Sequence, residues 1–277
     1  MADPAHDASL AETANDLRGL VVETLCHAQA GHPGGSLSAA EILAALFFSV
    51  MRIDPQRPDW EERDRFILSK GHAAPVYYAA LARRGFFPLE VLATYDHLDS
   101  PLQGHPDMAC PGVDMSSGSL GQGLSVGLGM ALGLRLKAID ARVFVVLGDG
   151  ELQEGQVWEA AMAAPRFGAD NLVAIVDDNR VQLMGDTADV MPVAPVAEKW
   201  RAFNWNVLEV DGHDPEAIVE ACAAAAREKG RPTVILARTV KGKGVSCMEN
   251  THVWHSAAIS PELKDQALAE LGARGVL

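Results

Sequence analysis

The sequence predicts a doubly wound α/β domain: a mostly parallel sheet with helices on both faces. Short apolar runs at 142–147, 172–177, 205–210 and 232–238 have the length and β-branched content of strands buried on both sides. Helical stretches separate them, at about 154–168, about 194–203 and 214–228, and strand alternating with helix is the pattern of a parallel sheet. No repeat, low-complexity tract or linker divides the 277 residues, so 1–277 read as a single domain.

Taken in order, residues 9–30 form an amphipathic helix opened by the capping box "SLAE", and residues 38–51 repeat the device with Ser38 and Glu41. Between them "GHPGGS" is expected to be non-helical. A short strand at 65–69 leads through "KGH" into the helical "AAPVYYAALARRG". Residues 96–117 are rich in Pro, Gly, His and Asp without periodicity, a long loop of the kind that usually carries function. "GSLGQGLSVGLGMALGLRLKAI" follows as a helix with small residues on most turns, suited to close packing on a neighbour. "DPEA" at Asp214 supplies an N-cap followed by proline at the first helical position. The chain closes on a short helix in "SPELKDQALAELGARG".

Composition bounds the function. A net charge of −14, from 23 Lys and Arg against 37 Asp and Glu, argues against nucleic acid or an anionic membrane surface as partner. Any anionic ligand must be held by local devices. The four cysteines have no metal-type spacing, and the acidic N-terminus shows no basic patch with an apolar run behind it. No apolar run approaches the roughly 18 residues of a membrane span. A reduced, soluble, cytoplasmic protein is expected.

The chemistry is signalled first by "RVFVVLGDGELQEG", where a buried strand runs into Gly-Asp-Gly. Ligands of such sheets bind beyond the carboxyl ends of the strands. The run ending in "DNRV" stands one crossover helix later, so a right-handed crossover sets Asp149 and Asn179 side by side. A carboxylate, an amide oxygen and a backbone carbonyl make a hard oxygen site for Mg²⁺ or Ca²⁺, completed by phosphate and water. Gly148 and Gly150 would let a diphosphate approach the backbone, with a helix N-terminus beyond. Gly-Asp-Gly alone is more simply a turn. Its pairing with Asn179 is what favours the metal and diphosphate.

Four histidines sit in comparable glycine-rich settings: His32 in "GHPGG", His72 in "LSKGH", His105 in "QGHPD" and His255 after "TVKGKGV". Each alone reads as a solvated loop residue. Together they suit proton transfer and the holding of hydroxyls or phosphate oxygens near neutral pH. None has the short helical spacing of a zinc motif, which makes catalytic zinc the weaker reading. Lys70 and Lys241 either supply local positive charge or are simply exposed.

With these motifs in place, the sequence resembles the thiamine-diphosphate enzymes and, within them, the transketolases. "GDGELQEGQVWEAAMAA" with "DNRV" is similar to their cofactor and metal motif. "AGHPGGSLSAAEIL", "LSKGHAAPVYYAAL", "GHPD", "SSGSLGQGLSVGLGMAL" and "TVKGKGVSCMENTHVWH" fit transketolases in order and cover nearly the whole chain. The resemblance implies that Asp149, Asn179 and the carbonyl of Val181 bind the divalent metal. It places His72, Gly150, Asn179 and His255 near the cofactor diphosphate, and Gly118, Ser119 and Leu120 along its rings. It gives His32, His105 and His255 the catalytic handling of the ketose, Glu154 the ordering of the motif loop, and Lys70 and Lys241 positions close to the diphosphate.

Three departures accompany it. Ser256 and Ala258 stand where many members carry glycine and a basic residue, and Leu183 where some carry a polar one. Single-chain transketolases are more than twice as long and add a pyrimidine-binding domain. The chain therefore resembles the N-terminal subunit of a split transketolase, expected to act with a C-terminal, pyrimidine-binding chain in an assembly of two copies of each. The implied activity is transfer of a two-carbon ketol unit between sugars or sugar phosphates. The rival readings are a non-catalytic cofactor-binding homologue and part of an enzyme like 1-deoxyxylulose-5-phosphate synthase.

Overall fold

The computed structural model describes residues 8–277; residues 1–7, part of the acidic stretch read as no secretory leader, lie outside the described residues. Seven strands are present among the described residues: β1 (Arg65–Leu68), β2 (Val143–Gly148), β3 (Leu172–Asp178), β4 (Val181–Gln182), β5 (Gly185–Asp186), β6 (Asn206–Asp211) and β7 (Thr233–Arg238). Five of them form one sheet in the order β1-β2-β3-β7-β6, with every neighbouring pair parallel. β4 and β5 form a small antiparallel ribbon just beyond β3.

The helices are α1 (Leu10–Ala28), α2 (Pro33–Ser38), α3 (Ala40–Ala45), α4 (Ala74–Arg84), α5 (Gln122–Leu136), α6 (Gly155–Arg166), α7 (Thr187–Val190), α8 (Val196–Ala202), α9 (Pro215–Arg227) and α10 (Pro261–Leu271). Alternate residues along the strands enter two separate cores, as the pleat of a sheet dictates. Phe66, Phe144, Val146, Val173, Ile175 and Ile235 pack with α1, α3, α4 and α9. Ile67, Val145, Leu147, Ala174, Val176 and Val234 pack with α5, α6 and Trp200 of α8. Both faces are covered, which is the doubly wound arrangement expected. β6 is the exception to burial on both sides: it is an edge strand with Glu209 and Asp211 exposed.

The first capping box forms as expected, with Ser9 accepting from the Glu12 N–H and Glu12 returning to the Ser9 N–H. The second does not. Residues 38–51 are not one helix: α3 has no side-chain cap, and it passes into a π-helical turn at Leu46–Val50. Ser38 instead donates to Asp177, and Glu41 accepts from Arg18. "GHPGGS" is a second correction, because Pro33–Ser38 is helical. Pro33 presets the first helical φ. A Cβ at Gly34 would stand 2.9 Å from the carbonyl oxygen of Trp254, and one at Gly35 would stand 3.3 Å from Lys70 Nζ. Close packing requires glycine at 34 and leaves little room for a Cβ at 35, against a low helix propensity that costs about 1 kcal/mol each.

Residues 96–117 contain no helix or strand, as expected. Tyrosines pin this loop to the fold: the Tyr77 hydroxyl donates to the Gly112 carbonyl at 3.0 Å, and Tyr78 donates toward Gln103 and His105 at 3.0 Å each. His105 is thereby held above the carboxyl end of the sheet.

Candidate functional site

β2 and β3 end level with each other, Gly148 lying opposite Asp177. Asp149 and Asn179 therefore emerge side by side from neighbouring strands. Asp149 is 4% exposed; its carboxylate accepts from the Gly150 N–H at 2.8 Å and the Thr187 hydroxyl at 3.2 Å. Neither donor is a cation. Burial, and then the nearby Asp177, push its pKa up to about 6. Asn179 is oriented from both sides, its amide nitrogen donating to Asp177 at 3.3 Å and its oxygen accepting from the Val181 N–H at 3.1 Å. The first turn after Asp149 is a 3₁₀ turn, Gly150–Gln153, and α6 starts only at Gly155. α6 thus begins within a residue of the expected start near 154, and the 3₁₀ turn separates its N-terminus from Asp149.

A cavity of about 290 Å³ opens at this point, lined in part by Asp149, Gly150, Asn179, Val181, Lys241 and His255. Lys70, His72, Leu120 and Glu154 border it as well. Both lysines are buried, 1% and 2% exposed, which removes the reading of simple surface lysines. Lys70 pairs with Asp177 and donates to the Gly35 carbonyl at 2.9 Å. Lys241 donates to the Val181 carbonyl at 2.7 Å and lies 3.0 Å from His255 Nδ1. Burial, then repulsion by Lys70, bring the Lys241 pKa down to about 8.

The four histidines converge. The His32 ring lies 5.3 Å from His72, 6.2 Å from His105 and 5.5 Å from His255, and His72 lies 5.0 Å from His255. Burial lowers the pKa values of His32, His72 and His255, the last to about 3, with neighbouring lysines and imidazoles adding to the effect. These three are neutral imidazoles that accept or donate without adding charge. Nδ1 of His32 and Nε2 of Gln182 are buried and have no partner among the described residues.

Gly118 sits against His105, with φ at +151° that favours glycine, and a Cβ there would stand 3.3 Å from the imidazole. Ser119 is exposed. Gly118 and Ser119 are not among the residues lining the cavity, whereas Leu120 is. The ordering of the motif loop falls to Glu151, not Glu154. Glu151 is 3% exposed and accepts from the Ser69 hydroxyl, the Gly121 N–H at 2.8 Å and the Gly148 N–H at 3.0 Å. Glu154 is exposed at the start of α6 and makes no cap there. Sequence reasoning also missed Asp177, which holds Lys70, Ser38, Thr239 and Asn179 together. The signal available was a carboxylate at the buried end of a strand.

The donor set fits a divalent cation with an anionic ligand. Asp149, whose buried carboxylate is bonded only to neutral donors, the oriented Asn179, and Val181, whose carbonyl accepts from Lys241, line one cavity. No cluster of three or more His, Cys, Asp or Glu of metal-binding geometry occurs among the described residues. A cation here would therefore complete its shell from ligand oxygens and water.

Fold and site together define an α/β domain whose candidate ligand site lies at the carboxyl end of its sheet. The chain belongs to the transketolase family: residues 9–274 match the family model described as transketolase, thiamine diphosphate binding domain. It is 45% identical over 267 residues to the 6-deoxy-6-sulfo-D-fructose transketolase subunit SqwG of Clostridium sp. (strain MSTE9), covering 96% of this chain and 97% of that one. It is 41% identical over 254 residues to one of the subunits named for the apulose-4-phosphate transketolase of Phocaeicola vulgatus, covering 92% and 90%. Its fold superposes on transketolase from Leishmania mexicana with a TM-score of 0.92 at 32% identity, covering 97% of this chain and 42% of that one.

Proposed function

We propose that the chain is the N-terminal subunit of a two-component transketolase, transferring a two-carbon ketol unit from a ketose to an aldose with a C-terminal, pyrimidine-binding subunit. The observation that carries this is the convergence of four imidazoles, of which His72 and His255 line the cavity shared with Asp149, Asn179 and Lys241. Two relatives named as transketolase subunits match this chain over nearly their whole length, which supports a division of the enzyme between two chains. Their names carry a sulfo sugar and a sugar phosphate, which supports a sugar with an anionic group as substrate. An assembly of two copies of each subunit completes this reading.

In this reading Asp149, Asn179 and the Val181 carbonyl hold Mg²⁺ or Ca²⁺. His72, Gly150 and Lys241 face the diphosphate, with Lys70 behind them. Gly118, Ser119 and Leu120 border the cofactor rings. Thiamine diphosphate, when bound, supplies the electron sink for cleavage of the bond beside a ketose carbonyl. The chain's own residues do the rest. His32, His105 and His255 hold the sugar hydroxyls, and the lowered pKa values of His32 and His255 keep both rings neutral near pH 7, able to accept or donate hydrogen bonds without carrying charge. Leu183 at the cavity and Met184 beside it, 55% and 74% exposed, supply apolar surface for the second subunit.

The test is reconstitution. Mixing this chain with a purified pyrimidine-binding chain, thiamine diphosphate and Mg²⁺ should produce ketol transfer that neither chain gives alone. Full turnover by this chain alone would overturn the division into two subunits. Tight cofactor binding without turnover by any mixture would make it a non-catalytic homologue.

A further inference from the structure

We propose that His213 is a positioning residue that fixes Lys241 through the backbone of Val240. This rests on the reading of Lys241 as part of the diphosphate site. His213 follows β6 in the turn that opens α9, and its side chain is 15% exposed. Its Nε2 lies 2.8 Å from the Val240 nitrogen, whose N–H donates to it. A ring nitrogen that accepts an N–H carries a lone pair, so the proton of the neutral ring sits on Nδ1. Nδ1 lies 3.0 Å from Glu41 Oε2 and donates to it.

Glu41 is in turn fixed by Arg18, whose Nη2 donates to its two oxygens at 2.8 and 2.6 Å, and Arg18 also donates to the Leu37 carbonyl at 3.2 Å. The Arg18 and Glu41 side chains are 6% and 8% exposed, so the far end of the relay is a buried ion pair between α1 and α3. The near end is the turn after β7. There Thr239 N–H donates to Asp178, Val240 N–H to His213, and Gly242 N–H to Gly34. Lys241 lies between the last two anchors and reaches Val181 and His255. Ion pair, imidazole and backbone amide thus form one line from the N-terminal helices to the ammonium. Orientation of a site group by a partner behind it is a general device of preorganised sites.

The experiment compares wild type, His213→Leu and His213→Gln as the full chain. Leucine fills the space but removes both bonds, whereas glutamine supplies an acceptor for Val240 and a donor for Glu41. Calorimetric titration with thiamine diphosphate and Mg²⁺ should show affinity about tenfold weaker in His213→Leu and close to wild type in His213→Gln, the scale of one hydrogen bond. Hydrogen exchange of the cofactor-free chain should show the Val240 amide losing protection in the leucine variant and regaining it with glutamine. Nitrogen-15 shifts of the wild-type ring should report the Nδ1-protonated form. Unchanged protection in a folded His213→Leu chain would overturn the proposal whatever the cofactor does. Lost protection in the leucine variant of a chain whose wild type binds no thiamine diphosphate would uphold the positioning and overturn the cofactor reading instead.

Discussion

Lys241 donates its ammonium to the Val181 carbonyl at 2.7 Å, so the oxygen expected to face a metal is already held by a buried cation. The ammonium and a divalent ion would compete for that oxygen or share its two lone pairs. Asp149 does not face this competition, since its partners are neutral.

Asp149→Asn should therefore abolish Mg²⁺-dependent binding of thiamine diphosphate while leaving the fold intact. The amide keeps the shape and loses the charge that a hard cation requires. Calorimetric titration with and without Mg²⁺ measures this. Wild-type affinity in the variant would remove Asp149 from the metal site.

Lys70→Ala should destabilise the chain by about 3–5 kcal/mol, because it leaves Asp177 buried without its cation. The double variant Lys70→Met with Asp177→Asn should cost less than Lys70→Ala alone, since no charge is then stranded and an acceptor oxygen remains for the neutral donors Ser38, Thr239 and Asn179. Urea denaturation monitored by tryptophan fluorescence reads both.

Glu151→Ala strands three donors in a buried turn, those of Ser69, Gly121 and Gly148, and should cost about 3 kcal/mol or more. Glu154→Ala, at an exposed position, should change thermal stability by no more than about 0.5 kcal/mol. Equal effects would refute the assignment of loop ordering to Glu151.

The His255 pKa falls from 6.5 to about 3 in the folded chain through burial and the charge of Lys241. Between those two values the unfolded chain binds the extra proton, so stability rises with pH across the window and is lost as pH falls through it. His255→Asn should reduce the slope on the acid side of the stability profile between pH 6.5 and about 3, leaving the part carried by His32 and His72. Thermal melts across that range supply the comparison. An unchanged slope would show that His255 does not carry the effect.

The parallel sheet was legible because buried strands such as 172–177 are continuous apolar runs and α9 announces itself with Asp214 and Pro215. The pairing of Asp149 with Asn179 was legible for the same reason, since crossover handedness fixes which strand ends meet. α2 was not legible: its two glycines argue locally against helix, and only the approach of Trp254 and Lys70 accounts for them. The Ser38 and Glu41 spacing matched a capping box, yet both side chains found stronger partners in Asp177, Arg18 and His213.

By itself the sequence determined the order of the strands of the main sheet and the helices between them from residue 142 on, the chemistry at the strand ends and the four histidines, because these follow from local periodicity and side-chain type. Tertiary structure alone decided that Lys70 and Lys241 are buried, that Glu151 and not Glu154 ties the loop, and that His213 reaches Val240. Those outcomes depend on which distant groups compete for each donor and acceptor once water is excluded, and sequence spacing carries no record of that competition.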